Sequence, residues 1–149
     1  MTRLPDFDAD GDMPPGVYPV TLAKALSRFG HGSAQRRIVA DRLAQVHLLA
    51  ASTNALARFI VFGSFVTAKP DPRDIDIVLI MDDAFDVTAV GEEAAVVFRH
   101  AEADDRLGAS VFWATRTGAF GGDQAMVEYW QARRQGGLRG ILEILAEVP

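Results

Sequence analysis

The sequence predicts an α/β (α+β) fold, a short mixed β-sheet of three to five strands with helices packed mainly on one face. Three short apolar runs rich in β-branched and aromatic residues, at positions 59–62, 75–81 and 109–116, are typical of strands. Amphipathic segments with helical spacing precede and separate these runs. Strands connected by crossovers of helix length indicate a mixed α/β topology.

Length and composition fit one soluble globular domain. The chain has 149 residues, of which 49% are hydrophobic and 23% charged. Its net charge of −5 argues against an extended surface for nucleic acid. The absence of cysteine excludes disulfides and thiolate metal sites. Neither a membrane-length apolar run nor a signal-peptide pattern is present, so we expect a cytoplasmic protein without a membrane partner.

The N-terminal part is predicted to be an arm followed by helices. Residues 1–20 are rich in Pro, Gly and Asp, and we expect an extended N-terminal arm before a single domain at 21–149. Thr21 is predicted to cap a helix over residues 22–29 that ends at Gly30.

A longer helix is predicted from Ser33 to about residue 56. It carries one apolar stripe, made of Val39, Leu43, Val46 and Ala50. Its solvent side is predicted to hold Arg36, Arg37, Asp41, Arg42 and Gln45.

The C-terminal half alternates helices and strands. We expect a helix at 88–100, a turn at 104–108 and the strand at 109–116. Asp123 is predicted to cap a helix over 124–135. Residues 141–148 fit an amphipathic strand or a helix, and we favour the strand.

The most informative stretch joins the first two predicted strands. Gly63 and Ser64 end the first strand, because glycine allows a sharp turn and a close approach to a ligand. Asp74 and Asp76 then alternate with isoleucines, so both acids should lie on one face of the second strand. Carboxylates about 7 Å apart repel each other unless a cation lies between them. Such oxygen ligands suit Mg²⁺, and the Gly-Ser turn offers N–H and hydroxyl donors to a phosphate.

The spacing of this stretch resembles the signature of the polymerase-β-type nucleotidyltransferase superfamily. Gly63-Ser64 is followed by nine residues and then by Asp74-Ile75-Asp76-Ile77. A wider set of segments is similar to a bacterial family of short nucleotidyltransferase-like proteins, namely residues 13–17 (MPPGV), 63–70 (GSFVTAKP), 129–131 (YWQ) and 137–141 (GLRGI). The alternative interpretation is purely structural: two buried strands joined by a polar turn, with both Asp side chains solvated.

The resemblance implies a fold, a reaction and roles for particular residues. It implies Mg²⁺-dependent transfer of a nucleoside monophosphate from a nucleoside triphosphate to a protein or small-molecule acceptor. Asp74 and Asp76 would be catalytic metal ligands, and Gly63 and Ser64 would bind the triphosphate. Thr67 and Lys69 are further candidate phosphate contacts, although Lys69 also fits a solvated loop lysine. Some minimal members act in toxin–antitoxin pairs, so a protein partner is a second expectation.

One position departs from the superfamily pattern. Its enzymes carry a third carboxylate on the next strand, whereas alternation places Ser110 there. A serine hydroxyl is uncharged at neutral pH and binds Mg²⁺ weakly, which weakens the case for a second ion. The alternative function is therefore a catalytically degenerate module that binds nucleotide or a protein partner.

Other candidates have structural explanations. Arg133, Arg134 and Arg139 are predicted to be solvated cations near a helix end, with a phosphate or partner contact as the alternative. Trp113 and Trp130 are predicted to be core residues rather than base-stacking platforms.

Overall fold

The computed structural model describes residues 3–119, 121–133 and 136–146. The strands are β1 Gly16–Val20, β2 Leu56–Phe62, β3 Ile75–Met81, β4 Ala109–Thr115 and β5 Gly140–Ile144. The α-helices are α1 Leu22–Phe29, α2 Ala34–Ala51, α3 Glu92–Ala95, α4 His100–Leu107 and α5 Asp123–Gln131. Short 3₁₀ turns occupy Ser64–Val66, Val87–Ala89 and Val96–Phe98.

The five strands form one mixed sheet in the order β1-β5-β2-β3-β4. β1 pairs with β5, and β3 with β4, in parallel, whereas β2 runs antiparallel to both β3 and β5. The predicted mixed sheet of three to five strands is confirmed. Gly16–Val20, which falls within the predicted arm, is an edge strand of this sheet, and Leu4 and Met13 are buried.

Two apolar clusters cover the two faces of the sheet unequally. The larger cluster joins side chains of α1 to α4 to one face, which carries Ile75, Ile77 and Leu79 of β3. The smaller cluster contains Val78 and Ile80 of the opposite face, and α5 contributes to it. The helices therefore lie mainly on one face, as predicted. The face under α5 is thinner, and Asp76 shares it because side chains alternate along β3.

Several predicted boundaries are wrong for identifiable reasons. α2 ends at Ala51 rather than near residue 56, because Asn54 takes a left-handed conformation (φ 59°) that leads the chain into β2. The predicted turn at 104–108 is helical up to Leu107, and Gly108 ends α4 in the left-handed region (φ 62°). Gly122, rather than Asp123, stands before the first residue of α5.

The predicted helix at 88–100 is broken into short pieces. Gly91 precedes α3, and the β-branched Val96 and Val97 follow it in a 3₁₀ turn, since these residue types favour helix weakly. The Trp113 ring nitrogen donates a hydrogen bond to the Phe98 carbonyl oxygen at 3.2 Å, which holds this broken segment against β4.

The prediction that Arg36 lies on the solvent side of its helix is also wrong. Arg36 is 7% exposed and donates hydrogen bonds to the carbonyl oxygens of Phe29, Phe65, Thr67 and Lys69. The sequence places it three residues before Val39, so it belongs to the buried side of α2. Its burial is tolerated because the carbonyl groups satisfy the guanidinium.

Some predicted features lie outside the described residues. They are Arg134, the predicted helix end at Gln135 and the last residues of the predicted C-terminal strand, which include Val148. Within the described part of the chain, none of the helices is both long and apolar enough to cross a membrane.

Candidate functional site

The site begins at the corner where β2 ends. Gly63 has φ 83°, a conformation that strains residues with a side chain. A Cβ atom on Gly63 would collide with the carboxylate of Asp76. The glycine is therefore needed twice, for the turn and for the close approach of the backbone to the acid.

The two predicted acids stand at the start of β3. Asp76 is half-buried and lies next to Phe62 of β2 and Ser110 of β4 in the sheet register. Asp74 directly precedes β3 and is half-buried, and its negative charge acts on Asp76. Among the ion pairs of the described residues, none includes Asp74 or Asp76.

The electrostatic environment of Asp76 disfavours its charge. Burial, followed by the negative charge of Asp74, raises the pKa of Asp76 to about 6, and the positive charge of Arg139 opposes this shift. An ionised Asp76 therefore lacks full compensation from the protein. A bound cation would supply that compensation.

Asp76 lines a pocket of about 510 Å³. This size lies within the range of small-molecule sites, roughly 300–1,000 Å³. The pocket lies between the Gly63 corner, the end of α5 and the start of β5. Its lining residues are Asp12, Met13, Phe62, Gly63, Ser64, Thr67, Asp76, Trp130, Ala132, Arg133, Arg139 and Gly140.

The predicted phosphate contacts separate into two groups. Ser64 and Thr67 line the pocket, and the Thr67 hydroxyl donates a hydrogen bond to the Ser64 carbonyl oxygen at 2.7 Å. Within the described ranges Ser64 is engaged through its carbonyl oxygen and not through its hydroxyl, so the hydroxyl remains able to bind a ligand. Lys69 is exposed and does not line this pocket, and its carbonyl oxygen accepts hydrogen bonds from Arg36. Arg36 thereby fixes the loop that carries Ser64 and Thr67.

Part of the pocket wall is formed by Trp130, Arg133 and Arg139, for which the sequence favoured core packing or solvated cations over a ligand site. Arg139 donates hydrogen bonds from Nε and Nη2 to the Trp130 carbonyl oxygen at 2.9 and 2.8 Å. Its guanidinium carbon lies 4.6 Å from the centre of the Phe62 ring. Arg133 forms an ion pair with Asp12, with 3.0 Å between Nη2 and Oδ2. Trp130 packs against Phe62, as expected of a core residue, and also lines the pocket.

The sequence signals for this wall were weak. Arg139 belongs to the basic cluster for which a phosphate contact was the alternative interpretation, and the structure brings it to the pocket with Arg133. Asp12 lies in the acidic N-terminal segment and meets Arg133 across 121 positions of sequence. No local sequence pattern predicts a contact between residues so far apart in the chain.

The donor set fits one divalent cation better than two. Asp74 and Asp76 provide carboxylate oxygens without ion-pair partners among the described residues, which suits Mg²⁺. The described residues contain no cluster of three or more acids or histidines arranged to hold a metal. The position beside Asp76 on β4 is Ser110, in agreement with the alternation argument. A second ion would therefore lack a charged ligand from this strand.

A larger hollow, of about 690 Å³, lies at the other end of β2 and β3. It is bordered by Leu48, Leu49, Phe85 and Val90, with Asp86 and Glu93 as its acids. It lacks a basic side chain, so it offers less to a phosphate than the Asp76 pocket does.

A comparison with protein families identifies residues 5–145 as a match to a family of unknown function, DUF6932. The chain belongs to this family. Searches of curated proteins and of solved structures gave no match. DUF6932 is a family of unknown function, so the resemblance to nucleotidyltransferases stays a prediction.

Proposed function

We propose that this protein is a minimal, Mg²⁺-dependent nucleotidyltransferase that transfers a nucleoside monophosphate from a nucleoside triphosphate to a protein or small-molecule acceptor. One observation carries the proposal: the Asp76 carboxylate lies against the Gly63 corner in a pocket that Ser64 also lines, and the negative charge of Asp74 acts on it. We place the activity in the cytoplasm.

Each element of the pocket has a role in this proposal. Asp74 and Asp76 would hold Mg²⁺, which supplies charge neutralisation for the phosphate oxygens. Gly63 lets the Asp76 carboxylate lie against the backbone corner, and the Ser64 hydroxyl would donate a hydrogen bond to a phosphate oxygen. Arg36 keeps the loop of Ser64 in place through its hydrogen bonds to carbonyl oxygens. Positioning and charge compensation are the main sources of catalysis in phosphoryl transfer.

A second candidate function rests on Ser110. Because the residue beside Asp76 on β4 is uncharged, the acceptor hydroxyl lacks an adjacent carboxylate base from that strand. The same pocket would then serve a degenerate module that binds nucleotide, or a protein partner as in a toxin–antitoxin pair, without turnover.

Two measurements test these functions. Thermal shifts with each nucleoside triphosphate, with and without Mg²⁺, report binding. Incubation with α-labelled triphosphate and candidate acceptors then reports transfer of the label. We expect Asp76→Ala to abolish the Mg²⁺-dependent shift and the labelled product, and Asp105→Ala, an exposed acid on α4, to behave as the wild type. Binding without transfer would support the second function, and a wild-type response from Asp76→Ala would refute both.

A further inference from the structure

Part of the pocket wall presents two arginines to the same space as Asp76. Arg133 and Arg139 both line the pocket, and the positive charge of Arg133 acts on Arg139. Burial and this repulsion lower the pKa of Arg139, against the favourable charge of Asp76. Two cations in one pocket repel each other unless an anion lies between them. This wall is therefore suited to an anion.

Arg139 is held in a defined orientation and keeps an N–H group that can still donate to a ligand. Two of its nitrogens donate to the Trp130 carbonyl oxygen, and its planar group lies over the Phe62 ring. Its Nη1 donates to none of the other residues that the structure describes, and Arg139 has no ion-pair partner among them. A guanidinium fixed in this way loses little conformational freedom when it binds a phosphate.

Arg133 is engaged by a carboxylate of the same chain. The side chains of Arg133 and Asp12 are about one-third and one-quarter exposed, at 34% and 28%. The segment of Asp12 is fixed to the loop that carries Ser64 and Thr67. Asp12 forms an isolated antiparallel β-bridge with Thr67, and the Ala68 N–H donates to the Gly11 carbonyl oxygen at 2.8 Å. The Asp12 carboxylate thus occupies the position at Arg133 where an anionic ligand would bind.

We propose that Arg133 and Arg139 form a binding subsite for the polyphosphate chain of the nucleotide, and that the Asp12 carboxylate competes for this subsite. The inference rests on the proposed function for the identity of the ligand as a nucleotide. It adds a second set of ligands to the site: the acids would hold the cation, and the arginines would bind phosphate oxygens. A polyphosphate carries several negative charges, so it compensates both arginines, whereas Asp12 pairs with one.

Inorganic tripolyphosphate in Mg²⁺-free buffer containing a chelator tests the subsite by itself. Isothermal titration calorimetry should show binding to the wild type and at least tenfold weaker binding to Arg139→Gln. Asp12→Asn should bind several-fold more tightly, because the amide no longer competes as an anion. Arg37→Gln, an exposed arginine of α2, is the matched control and should bind as the wild type. Absence of binding to the wild type would overturn the proposal.

Further variants keep the result independent of folding. If Arg139→Gln unfolds, Arg133→Gln replaces it. Among the described residues the Arg133 side chain hydrogen-bonds to Asp12, whereas Arg139 contacts both Trp130 and Phe62, so loss of Arg133 should disturb the fold less. Arg133→Gln should also weaken tripolyphosphate binding. Equal affinity of the wild type and Arg133→Gln, or unchanged affinity in Asp12→Asn, would overturn the proposal.

A parallel Mg²⁺ titration separates this inference from the proposed function. If Asp76→Ala binds Mg²⁺ and Mg²⁺-triphosphate as the wild type does, the proposed function fails while the tripolyphosphate result still supports the subsite. If Asp76→Ala loses the Mg²⁺ effect but the arginine variants bind tripolyphosphate normally, the subsite alone is refuted.

Discussion

The Asp76 carboxylate occupies the space that a Cβ atom on Gly63 would require. This contact joins the end of β2 to the start of β3 and makes the identity of residue 63 part of the site. The acid cannot keep its position if residue 63 carries a side chain.

Gly63→Ala should therefore destabilise the protein and displace Asp76. The positive φ alone costs about 1–3 kcal/mol for a residue with a side chain, and the collision adds to it. Gly32→Ala is the matched control, because Gly32 has φ 100° but nothing within 4 Å of a Cβ. In thermal unfolding, Gly63→Ala should lose more stability than Gly32→Ala, at about 3 °C per kcal/mol. Equal losses would show that the collision is relieved at no cost.

The pKa of Asp76 predicts a loss of stability with rising pH. Its folded value of about 6 exceeds its ordinary value of 3.8. Between these values the folded protein binds more protons at Asp76 than the unfolded chain does. The contribution of Asp76 to the free energy of unfolding should therefore fall as pH rises from about 4 to about 6, and remain low above that. After allowance for partial exposure, we expect the free energy of unfolding to lose about 2 kcal/mol through Asp76 over this pH range.

Asp76→Asn isolates this contribution from the rest of the protein. The variant should be more stable than the wild type at pH 8 and comparable to it at pH 4. The stability of the wild type is subtracted from that of the variant at each pH. This cancels the effects of Asp83 and Asp86, whose pKa values are lowered by hydrogen bonds from Thr117 and Thr88 and which therefore make stability rise with pH. Asp105→Asn serves as the control for loss of an exposed acid. A difference that does not change with pH would contradict the raised pKa.

Arg36→Met should destabilise the protein by roughly 2–4 kcal/mol. The variant leaves the carbonyl oxygens of Phe65, Thr67 and Lys69 without their buried donor. Arg37→Met, next to it on the exposed side of α2, should change stability by less than about 0.5 kcal/mol. Urea unfolding measures both, and the two variants would respond alike if Arg36 were solvated.

Ser110→Asp should place a third carboxylate beside Asp76. In the absence of a divalent cation, repulsion among the acids should lower stability by about 1–2 kcal/mol. Mg²⁺ should then raise the melting temperature more than in the wild type, and label transfer should increase. Ser110→Asn is the control of similar shape without charge. The same Mg²⁺ response in both variants would show that residue 110 does not face the bound ion.

The sequence predicted β2, β3, β4 and the alignment of Ser110 with Asp76 well because these features are local, whereas β1 fell within the predicted arm. Continuous apolar runs locate β2, β3 and β4 closely, and strict alternation was enough to pair Ser110 with Asp76. Arg36 was misassigned because its burial depends on a loop that begins about 30 positions later and supplies the compensating carbonyl oxygens. Asp12 and Arg139 were not assigned to the site because tertiary packing, not spacing, brings them to the pocket.

The pairing of β1 with β5 has a consequence for how the molecule is made. β1 is synthesised before β5 and gains its neighbouring strand only when residues 140–144 have been synthesised. Arg133 and Arg139 emerge more than a hundred positions after Asp12, so the nascent chain carries the acids of the pocket before its cations. The pocket is thus completed late in biosynthesis, and a polypeptide that terminates before residue 133 would contain the Asp-Ile-Asp motif without the arginines of the pocket wall.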